Sequence, residues 1–166
     1  MEAPTGRASQ RWRGWVGALT VVAMACGSPA LAETCAQPDD ETALRVRVLQ
    51  TALMVGALSC QQHDPYNAFV TRFQPTLATH GAALKAYFKR AHGGGWSAVL
   101  DEFVTRLANE ASLRGMQNLR TFCTESKRLF HDVMAIEDNG LEAFVATWSR
   151  RDEHGVLPCV LQAANP

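Results

Sequence analysis

Residues 41–60 read ETALRVRVLQTALMVGALSC, and this stretch predicts a long central helix over residues 42–60. Its apolar side chains recur at helical spacing along two adjacent stripes. The first stripe is Leu44, Val48, Ala52 and Val55, and the second is Val46, Leu49, Leu53, Ala57 and Cys60. A helix that is apolar over so much of its girth is usually surrounded by other helices. The stretch therefore predicts the centre of a helical bundle.

Further apolar patterns of helical spacing follow the central stretch and are separated by short polar or glycine-rich turns, one of which is expected at residues 115–118. We expect the helical regions to cover residues 66–91, 96–111, 119–133 and 141–148. Asp39 or Asp40 is the expected N-cap of the central helix, and Asp64 and Pro65 should start the next one. Pro75 predicts a kink or a very short break. No stretch alternates like a strand, so the predicted fold is all-α, a four- to six-helix bundle with two disulfides.

The first 32 residues have the three parts of a signal peptide. Three arginines precede a short apolar run over residues 15–26, and Ala30-Leu31-Ala32 supplies the small residues of a cleavage site. We therefore expect a single helical domain over residues 33–166, with no stable membrane span after removal of the signal and a periplasmic or secreted location. Lipoprotein processing at Cys26 is the minor alternative.

The net charge and the distribution of basic residues bear on whether the partner is a nucleic acid. The whole chain has 16 basic and 16 acidic side chains, and residues 1–32 hold three arginines and one glutamate, which leaves a formal charge of −2 beyond them. The basic residues are scattered along the chain. A nucleic-acid binder usually has a concentrated basic footprint, so the sequence argues against nucleic acid as the partner.

Four cysteines remain after residue 32, which in an exported chain predicts two disulfides. If residues 42–60 are helical, the two ends of that helix lie about 27 Å apart at 1.5 Å per residue. Because disulfide Cα atoms must lie within about 7 Å, Cys35 does not easily reach Cys60. We favour Cys60–Cys123 with Cys35–Cys159, and Cys60–Cys159 with Cys35–Cys123 is the second choice.

Signals for a metal or an organic cofactor are weak. Asp152, Glu153 and His154 are adjacent in a predicted loop, but no histidine pair has the i, i+4 spacing of helical zinc sites. The three glycines at residues 93–95 follow a predicted helix, whereas a dinucleotide site needs a preceding strand. The sequence therefore predicts neither a metal site nor a cofactor.

Two polar groups are the weak candidates for a binding surface. The first surrounds the proline-disturbed helix and the second lies on the helix after the glycines. Together they comprise Tyr66, Asn67, Arg72, Arg106, Asn109 and Glu110. Aromatic and arginine side chains are enriched in protein interfaces. The plainer interpretation makes Tyr66 a core residue and the others solvated, with Glu102–Arg106 and Glu110–Arg114 as surface ion pairs.

Two stretches, ALRVRVLQTALMVGALSC (43–60) with YNAFVTRFQP (66–75), and LANEASLR (107–114) with Phe122-Cys123, resemble small exported helical proteins of unknown function from Gram-negative bacteria. The resemblance implies a secreted helical protein with a cysteine framework, and it brings no catalytic residues.

The leading functional hypothesis is an exported binding or accessory module whose partner is an envelope protein or a small apolar molecule. The alternative is an envelope-acting enzyme with a Glu/His acid–base site, in which Glu110 is the candidate and His131 a possible partner. Such an enzyme should bring Glu110 and a histidine within hydrogen-bond reach. A structural or stress protein that self-associates is the third hypothesis.

Overall fold

Residues 34–159 are described by the structure, a computed structural model of the chain. The expected signal peptide and Cys26 lie outside these residues. The described part contains six α-helices, which are α1 (Pro38–Cys60), α2 (His63–Arg72), α3 (Gln74–His92), α4 (Trp96–Gln117), α5 (Leu119–Ala135) and α6 (Leu141–Thr147). A single 3-10 turn, Gly93–Gly95, joins α3 to α4. The all-α prediction is confirmed.

The central helix packs against all five of the others. Leu44, Leu49 and Leu53 are fully buried, and apolar residues of both predicted stripes are covered by neighbouring helices. By length and composition alone α1 would also be able to cross a membrane, but most of its apolar window is buried inside the bundle. Its two-sided apolar character is therefore explained by its central position.

The core has two main halves that share α1. One half packs Leu49 and Leu53 against α2, α5 and α6, with Phe69 and Val133 completely buried. The other packs Leu44 and Val48 against Leu84 and Phe88 of α3 and against α4. Trp148 contacts both halves from its place just after α6. This residue is only partly buried.

Both disulfides have the favoured pairing. Cys60 at the end of α1 is bonded to Cys123 of α5, with a Cα–Cα distance of 5.5 Å. Cys35 is bonded to Cys159, with a Cα–Cα distance of 4.8 Å. Next to this second disulfide, Ala36 and Pro158 form an isolated parallel bridge. As the length of α1 predicts, Cys35 and Cys60 are not partners.

Both predicted N-caps were wrong, because Asp40 and Asp64 lie inside α1 and α2, whose N-caps are Gln37 and Gln62. The predicted N-cap Asp40 lies one turn inside α1, where its carboxylate accepts the backbone N–H of Gln37 at 2.8 Å. Because Pro38 is compatible with the first helical turn, α1 begins earlier than expected. The break before Pro75 is a single residue, Phe73, between α2 and α3. The predicted very short break is confirmed.

One predicted turn was wrong in part. Residues 115–118 were expected to be a turn, but α4 continues through Gly115 to Gln117 and only Asn118 lies outside a helix. Gly115 is buried beneath Phe122, and a Cβ atom at this position would lie 3.3 Å from the ring of Phe122. The glycine allows close approach of α5 to α4 and does not break the helix.

Candidate functional site

A cleft of about 580 Å³ lies between α4, α5, α6 and the chain that follows α6. Its apolar surface comes from Leu129, Phe144 and Trp148. Its charged side chains are Arg114, Glu125, Arg128, Asp132 and Arg150. We call this site the arginine cleft. Its volume is within the range of small-molecule sites, about 300–1,000 Å³, but its lining is more polar than in most of them, because seven of its ten lining residues are charged or polar.

Some of the charges in the arginine cleft are already paired. Arg128 lies 3.8 Å from Asp132, measured from Nε to Oδ2, and His131 Nδ1 lies 3.3 Å from the other oxygen of Asp132. Arg114 Nη2 lies 3.3 Å from Glu153 Oε2. These pairs leave Arg150 and Glu125, for which no ion pair occurs within residues 34–159. The cleft therefore presents one uncommitted charge of each sign.

Arg150 is held in an unfavourable electrostatic position. Its guanidinium lies over the ring of Trp148, 5.3 Å from the ring centroid. Burial, and then the positive charge of Arg114, lower the pKa of Arg150 below its usual value, while Glu153 and Glu125 act in the opposite direction. A bound anion would compensate the repulsion between the two guanidinium groups.

Arg114 adds a second polar group without a partner. This residue lies in the last turn of α4, and its Nε atom is buried with no hydrogen-bond acceptor in the described part of the chain. A buried donor without an acceptor costs about 1–3 kcal/mol. A ligand that placed an acceptor oxygen near Arg114 and Arg150 would therefore bind more favourably, because it would remove this cost.

The chain after α6 is held in place mainly by arginines of other helices. We call residues 148–159 the C-terminal segment. Arg45 of α1 pairs with Asp152, Arg106 Nη2 donates to the carbonyl of His154 at 2.8 Å, and Arg114 pairs with Glu153. The Cys35–Cys159 disulfide closes the far end. These contacts position Arg150 and Trp148 at the edge of the arginine cleft.

The same contacts correct the predicted surface ion pairs. Glu102–Arg106 and Glu110–Arg114 were expected from their spacing, but Arg106 pairs with Glu110 at 3.0 Å and Arg114 pairs with Glu153. Arg106 therefore has a local i, i+4 partner, but it is Glu110 and not Glu102. For Arg114 a tertiary contact replaces the expected local pair, which would contribute only about 0.2–0.5 kcal/mol.

The first group of predicted binding residues lies on α2, away from the arginine cleft. Tyr66 is half-buried and its ring centroid lies 6.5 Å from that of Phe69 in the core, while Asn67 is exposed. Arg72 donates to the carbonyls of Met134 and Ile136 at 2.7 and 2.6 Å. It also pairs with Asp138. Arg72 therefore holds the loop between α5 and α6.

The second predicted group lies on α4. Arg106 is engaged with Glu110 and with the backbone of His154, and Asn109 is exposed. Arg106 and His154 also line a groove of about 290 Å³ beside Phe103. No described contact or cavity brings Tyr66, Asn67 and Arg72 together with this second group.

His154 is buried in the C-terminal segment and its ring is neutral at pH 7. Burial lowers its pKa to about 4; the carboxylate of Asp152 opposes this, and Arg45 and Arg106 add to it. The backbone N–H of Val156 donates to Nδ1 at 3.1 Å, so the proton of the neutral ring resides on Nε2. Nε2 has no hydrogen-bond acceptor among the described atoms.

The acid–base pair of the enzyme hypothesis is not assembled. Glu110 is bonded to Arg106, and His131 is exposed beside Asp132, so no hydrogen bond joins these two candidates. Among residues 34–159 there is also no group of three or more histidine, cysteine, aspartate or glutamate residues placed to hold a metal ion.

An apolar surface lies at the end of the bundle near the Cys60–Cys123 disulfide. Met116 and Leu119 are largely exposed there and line a shallow groove of about 370 Å³ with Ser59, Ser112 and Gly115. This groove has no charged lining residue. It differs in chemistry from the arginine cleft.

Comparison with known proteins adds no functional information. No protein-family model matches the chain, and no curated protein or solved structure matches it significantly.

Sequence reasoning missed the arginine cleft because its residues come from distant parts of the chain. One local signal was present, since Glu125, Arg128 and Asp132 recur at spacings that place them on one face of α5. The pairing of Arg114 with Glu153 has no local signal. Only the fold brings these charges to the same side of Trp148.

Proposed function

We propose that the protein is an exported, disulfide-stabilised binding module whose arginine cleft takes a ligand with an anionic group next to an apolar group. Two disulfides support an oxidising compartment. The observation that carries the proposal is the pair of half-buried guanidinium groups of Arg114 and Arg150, for which residues 34–159 supply one direct carboxylate partner, Glu153.

The apolar part of the ligand would contact Trp148, Phe144 and Leu129, which form one side of the arginine cleft. The anionic part would accept hydrogen bonds from the guanidinium groups, whose planar donors match a carboxylate or a phosphate. Such a ligand gains from burial of apolar area and from charge compensation at the same time.

Calorimetric titration with N-acetyl-phenylalanine tests this proposal, with its neutral amide as the matched ligand control. We expect the anion to bind and the affinity of the amide to be lower by about tenfold or more. The reason is that a hydrogen bond to a charged group contributes about 1.5–3 kcal/mol. Arg150→Gln should reduce binding of the anion to the level of the amide. Arg120→Gln, an exposed change at the start of α5, should leave it unchanged. Equal binding of both ligands, or an unaffected Arg150→Gln variant, would contradict the proposal.

The exported location is tested separately by mass spectrometry of the protein from its host. We expect a mature chain that begins at Glu33, without free thiols among the four remaining cysteines. A chain that keeps residues 1–32 in the cytosol would contradict this part of the proposal.

A further inference from the structure

Within the part of the chain that the structure describes, the arginine cleft contains an unpaired negative charge as well as an unpaired positive one, so its chemistry is not that of a simple anion site. Asp132 is occupied by Arg128 and His131, and Arg114 is partly occupied by Glu153. Arg150 and Glu125 remain unpaired within the described residues, and both line the cleft. Glu125 is close enough for its charge to act on Arg150, yet the two form no ion pair.

This separation leaves an unpaired cation and an unpaired anion facing the same space. Two opposite charges on flexible side chains gain little by meeting in water, because surface ion pairs contribute only about 0–1 kcal/mol. A ligand that carries both charges on one short molecule can meet Arg150 and Glu125 at once. A ligand with only negative charge would satisfy Arg150 and would be repelled by Glu125.

We propose that the arginine cleft binds a zwitterion, a short peptide with free amino and carboxyl ends and an apolar side chain. The carboxylate accepts hydrogen bonds from Arg150 and Arg114, and the ammonium group donates to Glu125. The apolar side chain packs on Trp148 and Phe144. This inference rests on the proposed function, because it names the ligand class of the same cleft.

The geometry supports a small ligand over a folded partner. The arginine cleft of about 580 Å³ is a local depression between three helices and the C-terminal segment. Its apolar side chains lie beside the charged ones, as needed for a ligand whose ends are charged and whose middle is apolar. No comparable pair of unpaired opposite charges lines the groove at Met116.

The test is calorimetric titration of the disulfide-bonded protein with alanyl-phenylalanyl-alanine and with its N-acetylated form. We expect the free peptide to bind about tenfold more tightly than the acetylated one, as for loss of one charge-assisted hydrogen bond. The variant Glu125→Gln should remove this preference by weakening only the free peptide. The control Asp101→Asn changes an exposed carboxylate of α4 outside the cleft and should keep the preference.

Each outcome separates the two proposals. Binding of both peptides with equal affinity, still dependent on Arg150, overturns the zwitterion inference and keeps the anion site. A preference for the free peptide that survives Glu125→Gln also overturns the assignment of Glu125. Absence of binding by both peptides, when N-acetyl-phenylalanine still binds, overturns the zwitterion inference and keeps the anion site; absence of binding by all three ligands overturns the proposed function as well. Because Glu125 is exposed on α5, matching helical circular dichroism of the variant and the native protein establishes that the change is local.

Discussion

Gly56 in α1 and Ser126 in α5 lie where the two helices cross so closely that a Cβ atom on Gly56 would overlap Ser126 Oγ. Ser126 is buried and its hydroxyl has no hydrogen-bond partner among the described atoms. The crossing therefore depends on the small size of both residues. It also fixes α5, which carries Glu125 into the arginine cleft.

We expect Gly56→Ala to lower the free energy of unfolding by about 1–3 kcal/mol, because the added methyl group meets a packed neighbour. Urea denaturation measures the change. Ser126→Ala alone should be neutral or slightly stabilising, since it removes a buried hydroxyl that has no partner.

The double variant with both alanines is the control for this crossing. Removing the hydroxyl leaves a Cβ–Cβ separation of 3.1 Å, so the double variant should recover part of the lost stability. Strictly additive effects of the two changes would contradict direct contact.

The pKa of His154 predicts an acid-sensitive fold. Its folded value of about 4 lies below the unfolded value of about 6.5, so the unfolded chain binds the proton more readily. The contribution of neutral His154 to the free energy of unfolding is complete above pH 6.5 and is lost as pH falls towards 4. We expect a loss of about 2 kcal/mol between pH 7 and pH 4.5 from this group.

Urea unfolding at these two pH values measures the effect, with His154→Asn as the test and His63→Asn as the exposed control. His154→Asn should weaken the pH dependence, and His63→Asn should leave it as in the native protein. Identical pH dependence in all three proteins would contradict the role of His154.

Arg72 holds the loop between α5 and α6 by donating to two carbonyl groups and to Asp138. Arg72→Ala should destabilise the protein by about 1–3 kcal/mol, because two loop carbonyls lose a charged donor. Amide hydrogen exchange of residues 134–141 should accelerate. Arg128→Ala is a control with a long, exposed ion pair and should change stability by less than about 1 kcal/mol.

The two disulfides should have different effects on ligand binding. Replacing Cys35 and Cys159 by serine frees the C-terminal segment and should weaken peptide binding in the arginine cleft, because Arg150 loses its fixed position. Replacing Cys60 and Cys123 by serine should leave the peptide affinity of the arginine cleft unchanged in the molecules that remain folded. Each replacement should cost about 2–5 kcal/mol of stability. Equal affinity of the two variants for the peptide would contradict the link between Cys35–Cys159 and the cleft.

Much of the fold was predictable from local patterns. The two apolar stripes of residues 42–60 placed α1 at the centre, and the length of that helix excluded one cysteine pairing. Gly115 misled the prediction because glycine serves both turns and close helix contacts, and only the position of Phe122 distinguishes the two.

The candidate site was less predictable. Arg114 had a local partner in Glu110, and nothing in the sequence indicated that it would instead reach Glu153 in the C-terminal segment. Tyr66, Arg72 and Arg106 have the residue types of binding surfaces, yet each makes contacts that stabilise the fold. Composition identifies candidate residues, but the tertiary contacts decide which of their charges are free.

The most direct test of the arginine cleft is NMR of the arginine Nε–Hε groups during titration with alanyl-phenylalanyl-alanine. We expect the Arg114 and Arg150 signals to shift together and to saturate with the calorimetric affinity, while the signal of exposed Arg120 stays in place. Unmoved Arg114 and Arg150 signals under saturating peptide, or shifts confined to arginines outside the cleft, would contradict binding in the arginine cleft.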